Sequence, residues 1–259
     1  MDKTEMDPRR KRVIFVNIII ACFATTMMST ALSTALPGIL VDFDISASTG
    51  QWLTSAYSLA MAVMVPVTSF MVKRVPTRRL FILVIGVFTL GLVIDVLAVD
   101  FYTLLLGRLL QAGANGVLIA AAQIILLTIY PREVHGKVMG WYGITLTAAP
   151  IISPTLAGIL IDAFDWRMVF ILPLAIMLVS LVCTLLTFED ILDTERLRFD
   201  TMSFVLCAFA FGGLTFGVGN VMTEGVVSVL FIVPVLVGAV ALALFTRRQL
   251  SLEVPFLQI

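Results

Sequence analysis

The residues best suited to chemistry lie inside one long apolar segment, residues 102–129. This segment contains Arg108, and Gln111 follows it three positions later. Residues three apart share one face of a helix, so a charge and an amide would lie on one stripe. A guanidinium inside a membrane span costs at least about 2.5 kcal/mol, even on the lenient insertion scale. Arg108 is therefore expected to face protein or water, either locking neighbouring helices through their carbonyls or taking part in transport.

A second ionisable residue lies close to this stripe. Asp95 is the only one of the seventeen acidic residues that falls inside an apolar segment. If segments 80–99 and 102–129 form a hairpin that turns near Asp100, Asp95 lies about 3 Å of helix rise from Arg108. Two interpretations remain open for this carboxylate. It forms an ion pair with Arg108, or it snorkels to the nearby membrane surface.

The composition places these residues in a lipid bilayer. Of 259 residues, 60% are hydrophobic and 13% are charged, and the mean hydropathy is +1.07. Soluble domains are about 45–50% apolar and about 25% charged, which excludes a water-soluble fold. Uninterrupted apolar runs of about 20 residues match the hydrocarbon thickness and predict helices, so the fold class is an all-α membrane bundle. Eight such spans are predicted, near 13–36, 51–72, 80–99, 102–129, 138–161, 168–188, 202–222 and 226–246.

The basic residues predict how this bundle is oriented. Fifteen of the seventeen Lys and Arg lie in the amino-terminal tail, in alternate loops or at the carboxyl end, whereas the opposite loops hold only Arg167. The positive-inside rule then places both termini in the cytoplasm. That placement requires an even number of spans, and the eight predicted spans agree with it. The expected location is the cell membrane, with multiple passes. The longest breaks between the spans are 37–50 and 189–201.

A stripe of small residues marks the fifth span. Gly143, Pro150, Pro154 and Gly158 recur at spacings close to one or two helical turns. Small residues on one face permit close helix approach in lipid, and the prolines are expected to bend the helix. Inside the spans there is no paired-acid site, His cluster or nucleophile with a base. The sequence therefore predicts no catalytic residues, metal site, cofactor or nucleic-acid partner.

Several segments resemble the major facilitator superfamily, specifically its fourteen-span drug:proton antiporters of the EmrB/QacA type. Residues 108–112 are similar to the fourth-span motif of that group. Residues 149–158 resemble its fifth-span antiporter motif, with Ser153 where glycine is usual, and Asp165-Trp166-Arg167 resembles its entry to span six. The resemblance implies exchange of protons for small apolar or cationic drug-like substrates. Arg108 would serve proton transfer, with Gln111 orienting it and Asp95 as a further candidate. The motif residues Gly143, Pro150, Ser153, Pro154 and Gly158 would form a tight helix seam.

The sequence also departs from that family pattern. Met28 stands where the first span of the group often has an aspartate, so no proton role carries over to that position. In the cytoplasmic loop motif, Ser69, Lys73 and Pro76 replace Gly, Asp and Gly. A charged loop is still present, and the resemblance implies a gating role for it. Its basic residues are Lys73, Arg74, Arg78 and Arg79.

The resemblance further implies an organisation of the whole chain. It comprises a basic cytoplasmic tail (1–12), a six-span amino-terminal lobe (13–188), a cytoplasmic linker (189–201), two extra spans (202–246) and the start of a connection (247–259) to a missing carboxyl-terminal lobe. Two functions follow from this organisation. One is proton-coupled multidrug efflux by alternating access. The alternative is a truncated, non-transporting membrane module that is inactive without a second lobe.

Overall fold

The structure is a computed structural model, and it describes residues 7–192, 200–224 and 228–251. These residues form eight α-helices and one short 3-10 helix, Arg132–Val134. The helices are α1 (Pro8–Asp42), α2 (Ala47–Arg74), α3 (Thr77–Val96), α4 (Phe101–Ile129), α5 (His135–Ala163), α6 (Met168–Thr187), α7 (Thr201–Glu224) and α8 (Val229–Ser251).

Every predicted apolar segment coincides with one of these helices. Within the described ranges, seven helices are long and apolar enough to cross a membrane singly. The remaining helix, α2, consists of two stretches, Ala47–Met64 and Val67–Arg74, which meet at 52° and together pass the same test. The prediction of an all-α bundle with about eight membrane-spanning helices is confirmed.

Short polar side chains fix where two of the helices begin. The Ser46 hydroxyl accepts a hydrogen bond from the Thr49 amide at 3.2 Å, and the Asp100 carboxylate accepts one from the Thr103 amide at 2.8 Å. Each cap satisfies one of the backbone donors that a helix leaves open at its amino terminus. The bond from the Thr103 amide also lowers the pKa of Asp100 below its ordinary value.

The first loop is shorter than the sequence indicates. The break expected at 37–50 is wrong, because α1 continues through Pro37 to Asp42 and α2 starts at Ala47. Proline is unfavourable inside a helix because it lacks an N–H and its ring crowds the preceding turn. Packing keeps the helix intact here, since Ile39 is fully buried and the Trp166 ring lies against Gly38.

Helix α4 has the largest buried share among the seven helices that can cross a membrane singly. It packs on α2 and α3, while α1 packs on α5 and α6, and α3 also contacts α6. The largest buried apolar side chains include Phe81, Phe88 and Phe170, which fill the space between these helices. Helices α7 and α8 pack mainly on each other, and α7 joins the remainder of the bundle through α2.

Candidate functional site

Two glycines bring α3 and α4 close enough to place Asp95 beside α4. A methyl group built on Gly107 would collide with the Asp95 carboxylate and would lie 2.7 Å from the carbonyl oxygen of Gly91. One built on Gly91 would lie 2.7 Å from the Gly107 oxygen. Any larger residue at either position would push the helices apart. The two backbones thus touch at the level of Asp95.

Asp95, Gln111 and Arg108 form one buried hydrogen-bonded chain. The Gln111 amide nitrogen donates to Asp95 Oδ2 at 2.6 Å, and the Gln111 carbonyl oxygen accepts from Arg108 Nη1 at 3.1 Å. All three side chains have no solvent-exposed area. Burial of Asp95 excludes the snorkelling interpretation. Both charged residues are among those described, and they are joined through Gln111 rather than by a direct ion pair.

Arg108 also contacts α1 and α2. Its Nη1 donates to the carbonyl oxygen of Met28 at 3.2 Å, and its guanidinium carbon lies 4.1 Å from the centre of the Tyr57 ring. A cation over an aromatic face is attracted by the ring quadrupole, more strongly when water is absent. Met28 therefore contributes its backbone oxygen to this site. Arg108 joins α1, α2 and α4 and is tied to α3 through Gln111.

Two further residues, Tyr57 and Asn115, belong to this site and were not predicted from the sequence. The Asn115 amide nitrogen donates to the Tyr57 hydroxyl at 3.0 Å, and both side chains are buried. Asn115 follows Gln111 by four residues, so it extends the polar stripe on α4 by one turn. Asn115 could therefore have been predicted from its spacing to Gln111. For Tyr57 the sequence offered no such signal, because its position against Arg108 depends on how α2 crosses α4.

Several buried polar atoms of this site have no hydrogen-bond partner among the described residues. They are Asp95 Oδ1, Arg108 Nε, Arg108 Nη2 and Asn115 Oδ1. Unsatisfied buried polar groups are costly and occur in native proteins mainly where function or bound water requires them. The Oδ1 atom of the carboxylate and two donor nitrogens of the guanidinium, Nε and Nη2, with three N–H groups between them, thus remain available. This arrangement can accept a proton at Asp95 and rearrange the bonds of Arg108.

Ser153 reaches α1 one residue away from the Arg108 contact. Its hydroxyl donates to the carbonyl oxygen of Met27 at 2.8 Å, and its side chain is buried. Arg108 binds the next carbonyl, that of Met28. Successive residues of a helix are rotated by about 100° around its axis, so adjacent carbonyl oxygens lie on different sides of α1. This lets α5 and α4 each bind one of them. The segment Met27–Met28 therefore connects α5 to the buried chain.

The other members of the fifth-span motif lie on a different face of α5. Methyl groups built on Gly143 and Gly158 would meet no atom within 4 Å of the described residues. Pro154 is exposed and Pro150 is half-buried, whereas Ser153 faces α1. α5 continues through both prolines as a single helix. The structure does not bring the five motif residues together, and the tight seam remains a prediction for the outward face of α5.

The predicted gating residues lie where α2 ends and α3 begins. Lys73 and Arg74 close α2, and the Arg74 guanidinium carbon lies 5.6 Å from the centre of the Phe70 ring. Arg78 connects α3 to the end of α6, because its backbone amide donates to Asp190 at 3.1 Å and its Nη2 to the Leu185 carbonyl at 2.8 Å. Arg79 is exposed.

Arg167 connects three elements at the end of the bundle opposite the amino terminus. It pairs with Asp42 of α1 at 3.0 Å and with Asp165 at 3.2 Å, and its guanidinium carbon lies 4.2 Å from the centre of the Trp166 ring. Its Nη2 also donates to the Ala98 carbonyl at 3.4 Å. This contact ties the connection between α5 and α6 to the ends of α1 and α3.

Comparison with known proteins defines the class of this chain. Residues 18–199 match the family model of the Major Facilitator Superfamily. The chain belongs to this superfamily, which consists of membrane transporters. Solved structures agree on the fold: a POT family transporter in complex with 5-aminolevulinic acid superposes with a TM-score of 0.67 at 14% identity, covering 98% of this chain and 55% of that one.

Curated relatives include proteins named for drug resistance. The chain is 34% identical to the uncharacterized MFS-type transporter YcnB of Bacillus subtilis (strain 168), over 98% of this chain and 54% of the relative. It is 32% identical to the lincomycin resistance protein LmrB of the same strain, over 95% and 52%. It is also 27% identical to the putative multidrug resistance protein MdtD of Escherichia coli (strain K12 / DH10B), over 86% and 47%. The chain spans about half the length of these relatives.

Proposed function

We propose that this chain carries the proton-coupling lobe of a multidrug exporter that exchanges drugs for protons by alternating access. The observation that carries the proposal is the buried chain Asp95–Gln111–Arg108. An ionisable side chain that faces the interior of a membrane helix bundle typically belongs to a proton or ion pathway. Relatives named for lincomycin and multidrug resistance support drugs as the cargo. The expected substrates are small, apolar or cationic molecules.

Asp95 is the proposed proton-binding group, in place of an acid on α1. With Asp95 ionised, its charge balances Arg108 through the Gln111 amide. Protonation removes the negative charge and leaves the guanidinium held only by the Met28 carbonyl, Gln111 and the Tyr57 ring. A buried charge without a counter-charge is costly, so the proton would favour a conformation that admits water or substrate. The Met27–Met28 segment would transmit that change to α5.

The proposed organisation is a six-span lobe followed by two extra spans. Residues 13–188 form the six-span lobe after the basic tail 1–12, residues 189–201 form the linker, and 202–246 form the two extra spans. Residues 247–259 would lead to a carboxyl-terminal lobe, and both termini would lie in the cytoplasm of a cell-membrane protein. Lys73, Arg74, Arg78 and Arg79 would gate the cytoplasmic side, and the outward face of α5 would meet the second lobe.

Dye efflux tests the proposed role of the buried chain. Cells expressing the gene from its own start to its own stop codon are loaded with ethidium, and efflux is followed at several external pH values. Arg108→Ala and Asp95→Asn are expected to abolish proton-driven efflux at equal expression. Leu109→Ala, on the neighbouring exposed position of α4, serves as the matched control. Wild-type efflux in both site variants would refute the assigned roles.

The alternative of a non-transporting module is favoured by one observation, the match to only about half of each relative. Purified 259-residue protein in liposomes decides between the two functions. Dye uptake driven by a proton gradient would exclude the inactive module. Absence of uptake here, together with efflux from cells expressing the gene, would assign transport to a longer product.

A further inference from the structure

A groove of about 500 Å³ runs between α2 and α7, in the half of the bundle opposite the amino terminus. It is separate from the Arg108 site, which lies on the α4 side of α2. One wall consists of Gln51, Ser55 and Ser58 of α2, and Thr215 stands on α7. All four side chains are exposed, and none of the described residues that line the groove is charged.

The polar wall of the groove is too deep for an acyl-chain surface. Gln51, Ser55 and Ser58 are spaced four and three residues apart, so they form one face of α2. Ser58 lies eleven residues after Ala47, about 16 Å along the helix axis and far from the helix end. The Ser58 hydroxyl donates to the Thr54 carbonyl oxygen at 3.1 Å, but its lone pairs and the Gln51 amide would forfeit hydrogen bonds in hydrocarbon, at considerable cost. This face is therefore suited to water or to a polar ligand.

An aromatic platform completes the groove. The rings of Trp52 and Phe216 stack with their centres 5.7 Å apart and their planes inclined by 26°. Trp52 remains 45% exposed, which leaves part of its ring available for contact. The aromatic faces suit the C–H surface of a ring compound, and the neighbouring hydroxyls and amide suit its hydroxyl groups. Among the described residues, the lining carries no charge, which favours an uncharged ligand.

We propose that the groove between α2 and α7 binds uncharged, hydroxyl-rich ring compounds of the glycoside type. In the proposed orientation the groove lies in the outer half of the bundle, so it would hold such a substrate on its way out. This assignment of a substrate class rests on the proposed export function. It also gives the first of the two extra spans a part in ligand binding, through Thr215 and Phe216.

Equilibrium binding of radiolabelled phenyl β-D-glucoside to the purified 259-residue chain in nanodiscs tests the proposal. Saturable binding is expected, and Trp52→Ala should weaken it at least about tenfold. Gln51→Ala and Ser55→Ala should each weaken it about threefold to tenfold, the effect of one lost hydrogen bond. Both are exposed positions, so these variants are expected to fold. Trp141→Phe, an exposed tryptophan on α5, is the control and should bind as wild type.

Three results would overturn the proposal. The first is absence of saturable binding. The second is binding that Gln51→Ala and Ser55→Ala leave unchanged, which would indicate a non-specific apolar surface. The third is ethidium displacing the glucoside at comparable concentration in wild type but not in Trp52→Ala, which would indicate a cation site. Because no proton gradient is applied, failure of the proposed proton coupling would not change any of these outcomes.

Discussion

Glycines on α4 and on α5 have opposite surroundings in the same bundle. Gly107 on α4 is in backbone contact with Gly91 of α3, with the Asp95 carboxylate closing the remaining space. On α5, Gly140, Gly143 and Gly158 face open space within the described structure. A small residue in a membrane helix can thus permit close contact between two helices of the same bundle, or it can leave a surface open to another element.

Removal of the charge at Arg108 on α4 should lower the free energy of unfolding more than any other change considered. Arg108→Met is expected to cost about 3–5 kcal/mol in the free energy of unfolding, because it leaves the buried Asp95 carboxylate without a counter-charge. Adding Asp95→Asn should recover part of that loss. Unfolding in detergent measures both changes. Strictly additive effects of the two substitutions would show that the Gln111 link does not couple them.

Glycine-to-alanine changes compare the two helices directly. Gly107→Ala should destabilise the protein by about 1–3 kcal/mol, because the added methyl group has to displace the Gly91 backbone. Gly140→Ala is the matched control on α5, where the same methyl group meets open space. Alanine there should raise stability by at most about 1 kcal/mol. The same unfolding assay measures both, and equal losses at the two positions would contradict the contrast.

Ser153 tests the one inward contact of the fifth-span motif. Ser153→Gly introduces the glycine that is usual in the fifth-span motif this segment resembles, and it removes the hydrogen bond to the Met27 carbonyl. We expect a loss of about 1 kcal/mol in the free energy of unfolding. Thr155→Ala, an exposed hydroxyl on the same helix, should change stability by less than about 0.5 kcal/mol. If Ser153→Gly leaves the free energy of unfolding unchanged, the Ser153 hydrogen bond does not couple α5 to the buried chain.

The smallest expected effect lies at an ion pair that joins α7 and α8. Arg248 donates to both Asp200 oxygens at 2.8 and 3.0 Å, which holds the pKa of this carboxyl well below its ordinary value. A depressed pKa contributes stability that is present above the unfolded-state pKa, near 4, and is lost as the pH falls below it. Asp200→Asn should therefore flatten the decline of thermal stability below pH 4. If Asp200→Asn leaves the decline of thermal stability below pH 4 unchanged, the pair of Asp200 and Arg248 contributes nothing to stability.

The sequence predicted the helices well and their exact ends less well. Apolar runs of bilayer length dictate helices because lipid offers the backbone no other partners, which is why all eight segments coincide with helices. The run through Pro37 was cut too early, because only the packing of Ile39 and Trp166 keeps that helix intact beyond the proline. Local rules cannot include such long-range contacts.

The candidate site was predictable only in part. Periodicity placed Arg108 and Gln111 on one face of α4, and the hairpin turn placed Asp95 close to their level. The rotation of α3 about its own axis decided whether that carboxylate faced lipid or Gln111, and the close approach at Gly91 and Gly107 fixed it inward. The position of Tyr57 over Arg108 depended in the same way on the path of α2.

By itself, the amino-acid sequence determined that this protein is a membrane helix bundle with a charge, an amide and an acid at one level of α3 and α4. Hydropathy and helical periodicity are local properties, so they can be read without a partner. Only the tertiary structure decided that Gln111 bridges the two charges, that Ser153 turns away from the other motif residues, and that α7 completes a polar groove on α2. Each depends on the rotation and separation of helices, which packing between distant residues sets.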